Sequence, residues 1–169
     1  MTPSLTGVTA EEWAAAVEAV RGLAPDDEVQ LVCHVNPDGD ALGSMLGFAL
    51  GLRRLGFTRV RATFPGEFEL PTPYQALPGR DLLVPEAQAF TDPRLVLIFD
   101  VAAVSRLVGL SRLLDVAPCV VVLDHHASNT GFGRVNLVDP RAAATSVVAC
   151  GLLDRLDVPL DPEIAECFY

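Results

Sequence analysis

Three short apolar runs each break off into acids and imidazoles. Val29-Gln30-Leu31-Val32-Cys33 leads into His34-Val35-Asn36-Pro37-Asp38-Gly39-Asp40, Leu95-Val96-Leu97-Ile98-Phe99 into Asp100, and Cys119-Val120-Val121-Val122-Leu123 into Asp124-His125-His126. Short apolar runs rich in β-branched residues read as strands covered on both faces, as parallel strands are. Parallel strands need crossover connections, so helices must lie between them. Their carboxyl ends share one edge, where open α/β sheets bind ligands. His34, Asp100 and Asp124 each end such a strand and are expected at that edge.

The rest of the pattern agrees. Thr9-Ala10-Glu11-Glu12 has the form of a capping box, predicting a helix to about Arg21 with Gly22 after it. Strands are expected at Val29 to His34, Arg59 to Phe64, Leu95 to Phe99 and Cys119 to Leu123, with a short one at Val135 to Leu137. Helices are expected at Ala41 to Leu55, Ser105 to Leu114 and Ala144 to Leu156, and a last one begins at Asp161-Pro162-Glu163 with Asp as cap and Pro at its first position. Pro65 to Pro93 is dense in proline and glycine and reads as loop, with a short helix and strand near Asp81 to Val84. The predicted class is α/β: a three-layer, doubly wound, mostly parallel sheet with helices on both faces.

A chain of 169 residues, half of them apolar and 20% charged, is expected to form one core-bearing domain. The formal charge of −10 opposes long polyanions, so a phosphate-directed function needs divalent cations or a basic partner domain. Cys33, Cys119, Cys150 and Cys167 form no C-x-x-C pair and read as small buried hydrophobes of a reducing cytosol. The N terminus has no basic region followed by an apolar one, so no secretory signal is expected and a cytoplasmic location is. Ala41 to Leu52 is too short to span a bilayer, and Gly43, Gly47 and Gly51 read as close packing of that helix on a sheet. No membrane partner is expected. A homodimer is an arrangement the chain permits.

Proline and glycine around His34, Asp38 and Asp40 force a tight loop that turns these side chains toward one point. Carboxylates with imidazole suit Mn²⁺, Mg²⁺, Co²⁺ or Fe²⁺. A structural zinc site is not expected without cysteine ligands. Asp100, ending a neighbouring strand, can bridge two metals, and His125 adds a second imidazole. The competing reading is that each acid only caps a helix or turn, which for Asp40, next to a helix start, is sound on its own.

His34-x-x-Pro37-Asp38-Gly39-Asp40-Ala41-x-Gly43-Ser44, then Asp100, then Asp124-His125-His126-x-Ser128-Asn129, resembles the first three motifs of the DHH phosphoesterase superfamily, most of all its bacterial nanoRNase/pAp phosphatase branch. The resemblance runs from about residue 10 to 169. It implies that His34, Asp38 and Asp100 hold one metal, and Asp40, Asp100 and His125 a second. It implies that His126 contacts the scissile phosphate, that Asp124 orients the histidines, and that Arg106 and Asn129 touch phosphate or buttress the loop. The implied reaction is two-metal hydrolysis of short oligoribonucleotides and 3'-phosphoadenosine 5'-phosphate, with cyclic di-AMP or pApA as further substrates. Long DNA is not an expected substrate.

The family also has a fourth motif, an Asp completing the second metal's shell, and a second, substrate-binding domain. Neither is found in residues 1–169, so the chain is expected to be an incomplete catalytic domain, inactive or weak alone. A family-II inorganic pyrophosphatase or exopolyphosphatase, and a metal- or nucleotide-binding module without turnover, are the alternatives.

Overall fold

The computed structural model describes residues 7–169; the first six positions of the expected domain lie outside the described residues. Five parallel strands form one sheet in the order β2-β1-β3-β4-β5, with β1 at Val29–Cys33, β2 at Val60–Thr63, β3 at Leu95–Phe99, β4 at Val120–Asp124 and β5 at Val135–Val138. The apolar runs are the central strands: every residue of β1, β3 and β4 is buried. Strand order reverses between β1 and β3, which are direct neighbours in register from Val29 opposite Leu95 to Cys33 opposite Phe99. That crevice is the topological switch point, where ligand sites of doubly wound sheets form.

One face of the sheet carries α1 (Ala10–Arg21), α2 (Gly39–Arg54), α4 (Thr145–Arg155) and α5 (Pro162–Phe168). Their apolar residues join those of the strands in one core that includes Trp13, Leu46, Phe48, Phe99 and Leu152. The capping box of α1 is formed, with Thr9 and Glu12 satisfying each other's backbone N–H. Helix α2 is buried without a break from Ala41 to Leu52. Its glycine stripe meets helices, not the sheet. A Cβ on Gly43 would collide with the Cys167 carbonyl, one on Gly47 with the Phe168 ring, and one on Gly51 with Leu153. The close approach read from this spacing is therefore of α2 to α5 and α4.

The opposite face is thinner. The helix expected at Ser105 to Leu114 is instead a 3₁₀ segment, Val104–Arg112, broken at Val108 (φ 48°, ψ −122°) and followed by the one-turn α3, Leu113–Val116. Leu107, Leu110 and Leu113 are the buried residues, and the left-handed backbone at Val108 falls between the first two, so no single helix carries all three. They cover Val32, Val96, Ile98, Val120 and Val122. The 65–93 region holds three 3₁₀ turns and one parallel bridge, Leu83 to Ala62, which guards the edge of β2. Strands β4 and β5 are joined by residues 125–134 without a helix. Among the described residues no helix is long and apolar enough to cross a membrane. The four cysteines are free thiols, Cys33 and Cys167 buried and Cys119 and Cys150 partly so.

Candidate metal centre

The carboxyl ends of β1, β3 and β4 bring the three clusters together. His34 follows β1, and Pro37 and Gly39 turn the chain so that Asp38 caps α2, accepting from the Ala41 N–H at 3.0 Å. Asp40 lies in the first turn of that helix. Asp100 follows β3 and Asp124 ends β4. Two residues at this rim, Asn36 (φ 53°) and Asp100 (φ 60°), adopt the left-handed backbone region. Such strain persists where surrounding structure enforces it, and it gathers at functional sites.

Asp100 is buried and central. Its Oδ2 lies 3.5 Å from His34 Nε2, which is also 3.9 Å from Asp38 Oδ1. Its Oδ1 lies 3.7 Å from His125 Nε2, which is also 3.8 Å from Asp40 Oδ2. The two oxygens of one carboxylate thus face two different His–Asp pairs. These separations are long for hydrogen bonds. They match donor atoms that share one cation held at roughly 2.0–2.2 Å from each. Three carboxylates and two imidazoles are a donor set for Mn²⁺-type ions, so the residues fit the group the chemistry asks for. The ring orientations agree with it: Nε2 of each histidine faces the acids, while His34 Nδ1 lies 2.8 Å from the Val35 carbonyl and His125 Nδ1 3.3 Å from that of Ala142.

By distance alone His126 also belongs to a ligand group, with Asp100 and His125. Hydrogen bonding sets it apart. Its Nδ1–H donates to Asp124 Oδ1 at 2.7 Å, which leaves no lone pair there for a cation and turns Nε2 outward. Asp124 is fully buried and satisfied: Oδ1 also accepts from the His125 and His126 N–H groups at 2.8 and 3.3 Å, and Oδ2 from Asn129 Nδ2 at 2.7 Å. Asn129 is committed to the loop. Its amide donates to Asp124 and to the Val101 carbonyl, and its oxygen accepts from the Gly131 N–H. These bonds tie the loop after β4 to Asp124 and Val101.

Electrostatics follow from the same contacts. Burial opposes ionisation of Asp100, but the His34 ring and the Thr145 hydroxyl outweigh it and hold the carboxyl below its usual range. Asp100 in turn raises His34, against the effect of burial, and the hydrogen bond to Asp124 raises His126. His126 lies on a cavity of about 440 Å³ lined also by His34, Asp38, Asp100, Ala103 and Arg106. The Arg106 guanidinium sits 2.8 Å from His34 Nδ1. It also lines the same cavity as Asp38 and His126.

Two further side chains hold the acids. Thr145, fully buried, donates its hydroxyl to Asp100 Oδ1 at 2.8 Å. Ser44, also buried, donates to Asp40 Oδ1 at 3.1 Å. Ser44 was discoverable, lying one helical turn beyond Asp40. Nothing local signals Thr145, 45 positions beyond Asp100.

Residues 28–169 match the DHH family, N-terminal domain. The chain belongs to the DHH family. This DHH chain is 34% identical over 150 residues to the bifunctional oligoribonuclease and PAP phosphatase NrnA of Thermus thermophilus, across 84% of the chain but 41% of that protein. It therefore spans about two fifths of that relative's length. Among solved structures it resembles an exopolyphosphatase-related protein from Bacteroides fragilis, with a TM-score of 0.83 and 22% identity over 97% of the chain and 49% of the other. It also resembles the exonuclease RecJ bound to manganese, with a TM-score of 0.54 and 21% identity over 98% of the chain and 43% of the other. At these identities the two structures speak for the fold.

Proposed function

We propose that this DHH chain holds two divalent ions, Mn²⁺ in preference to Mg²⁺, Co²⁺ or Fe²⁺, and is the catalytic part of a phosphoesterase acting on short oligoribonucleotides and 3'-phosphoadenosine 5'-phosphate. The observation that carries the reading is Asp100: one carboxylate with each oxygen turned to its own His–Asp pair. His34, Asp38 and Asp100 would hold one ion, and Asp40, Asp100 and His125 the other. When bound, such a pair lowers the pKa of a water and neutralises charge on the phosphate oxygens.

The chain's own residues do the rest. His126, held by Asp124 with Nε2 outward, presents a proton to a phosphate oxygen or a leaving alkoxide. Arg106, on the same cavity, neutralises a second phosphate oxygen. Asn129 ties the loop after β4 to Asp124 and to Val101. A formal charge of −10 favours a substrate with few phosphates over a long strand. The likeness to the oligoribonuclease and PAP phosphatase supports the same substrate class.

The test uses the full-length natural protein with Mn²⁺, offered 3'-phosphoadenosine 5'-phosphate, a diribonucleotide, pApA, pyrophosphate and long single-stranded DNA. Release of mononucleotides or AMP from the first three is expected. Turnover of pyrophosphate alone would move the protein to the pyrophosphatase reading, turnover of long DNA alone to an exonuclease. Nucleotide binding without turnover of any would leave a binding module.

A further inference from the structure

The two acids of the His125 side meet at Thr145. Its hydroxyl donates to Asp100 Oδ1 and its backbone N–H to Asp40 Oδ2, each at 2.8 Å. These are the same two oxygens that face His125 Nε2. Asp100 Oδ2, which faces His34, takes no hydrogen bond from Thr145.

The arrangement comes from how α4 begins. Its N-cap, Ala144, has no side chain to satisfy the first N–H groups. The Asp40 carboxylate reaches across from α2 and does so instead, accepting from Thr145 N and from Ser146 N at 3.0 Å, while Ser44 holds it from the next turn of α2. Asp40 is thereby fixed against the N-terminus of an 11-residue helix. Thr145, buried at that junction, has one side-chain donor, and it is spent on Asp100. Groups that hydrogen-bond metal-binding carboxylates set their orientation.

We propose that Thr145 is a positioning residue for one ion of the pair: it orients the Asp40 and Asp100 oxygens around the His125 site and contacts no oxygen that faces His34. The inference rests on the two-ion reading above. Calorimetric Mn²⁺ titration of the metal-stripped, full-length natural protein tests it, with Thr145→Val and Thr145→Ser beside the wild type. Valine keeps the branched shape and the backbone N–H and removes the hydroxyl. The wild type is expected to bind two ions. Thr145→Val should bind one as the wild type does and the other about 10–100-fold more weakly, and Thr145→Ser should restore both. Wild-type affinity at both sites in Thr145→Val overturns the proposal. So does equal weakening of both with unchanged circular dichroism, which makes the residue a general support of the fold. Should the valine variant not fold, Thr145→Ala is read by the same criteria. A wild type that binds no pair of ions fails the two-ion reading itself, and the role of Thr145 falls with it.

Discussion

On the His34 side of Asp100, the other two groups come from one stretch of five residues. His34 follows β1 and Asp38 caps the helix that comes next, so a single turn sets their relation. On the His125 side, the groups come from three elements: Asp40 from α2, His125 from the loop after β4, and the donors that hold the acids from the start of α4. The first side is a local motif resting on a strand end. The second exists only when α2, β4 and α4 are docked, so its ion affinity is coupled to helix packing. Asp100 joins them, and its left-handed backbone is where the two requirements meet.

The substitution that strikes both sides is Asp100→Asn. In the full-length protein it is expected to lower metal-stimulated hydrolysis by about 10³-fold or more, and to weaken both ions together, as read by activity and by metal content after desalting. Retention of either ion at wild-type affinity would mean that the two sides are not linked through this carboxylate. His126→Ala probes the group outside both sides. Turnover should fall by about 10²-fold while two ions stay bound. Loss of an ion instead would place His126 in the His125-side shell, in place of Asp40.

The smallest effect is on the pH dependence of stability without metal. Raised His34 contributes stability that is full below about pH 6.5 and is lost as pH climbs through its folded-state value. Lowered Asp100 contributes stability present above about pH 4 and lost as pH drops through its folded-state value. The metal-free protein should therefore melt at a lower temperature as pH climbs past the imidazole range. Bound divalent ions need neutral imidazoles, so Mn²⁺ should reverse that trend over the same range. Parallel melting curves with and without Mn²⁺ would mean that the ions do not engage His34 or His125.

The difference between the two sides also explains what could be read in advance. Strand runs with β-branched residues between helix caps announced the parallel sheet, because burial on both faces and capping are local demands on composition. Ser105 to Leu114 reads as an α-helix because its leucines fall three and four positions apart, and nothing local signals the left-handed backbone at Val108 that breaks it. The glycine stripe reads as close packing on a sheet, whereas the structure packs it against α5 and α4, because small residues permit approach from helix or sheet equally. Asn129 could be placed near Asp124 by the motif, but only the loop's fold decided that its amide would be consumed by Asp124 and Val101.

By itself, the order of residues determined the strands, the clusters that end them and the His34–Asp38 turn, since each depends on neighbours a few positions apart. Tertiary structure alone decided that Asp100 turns one oxygen to each side and that Thr145 reaches the acids at all. Those relations join residues tens of positions apart through the register of β1 on β3 and the docking of α4 on α2. Such register and docking are set by the burial of the whole core, which no local pattern encodes.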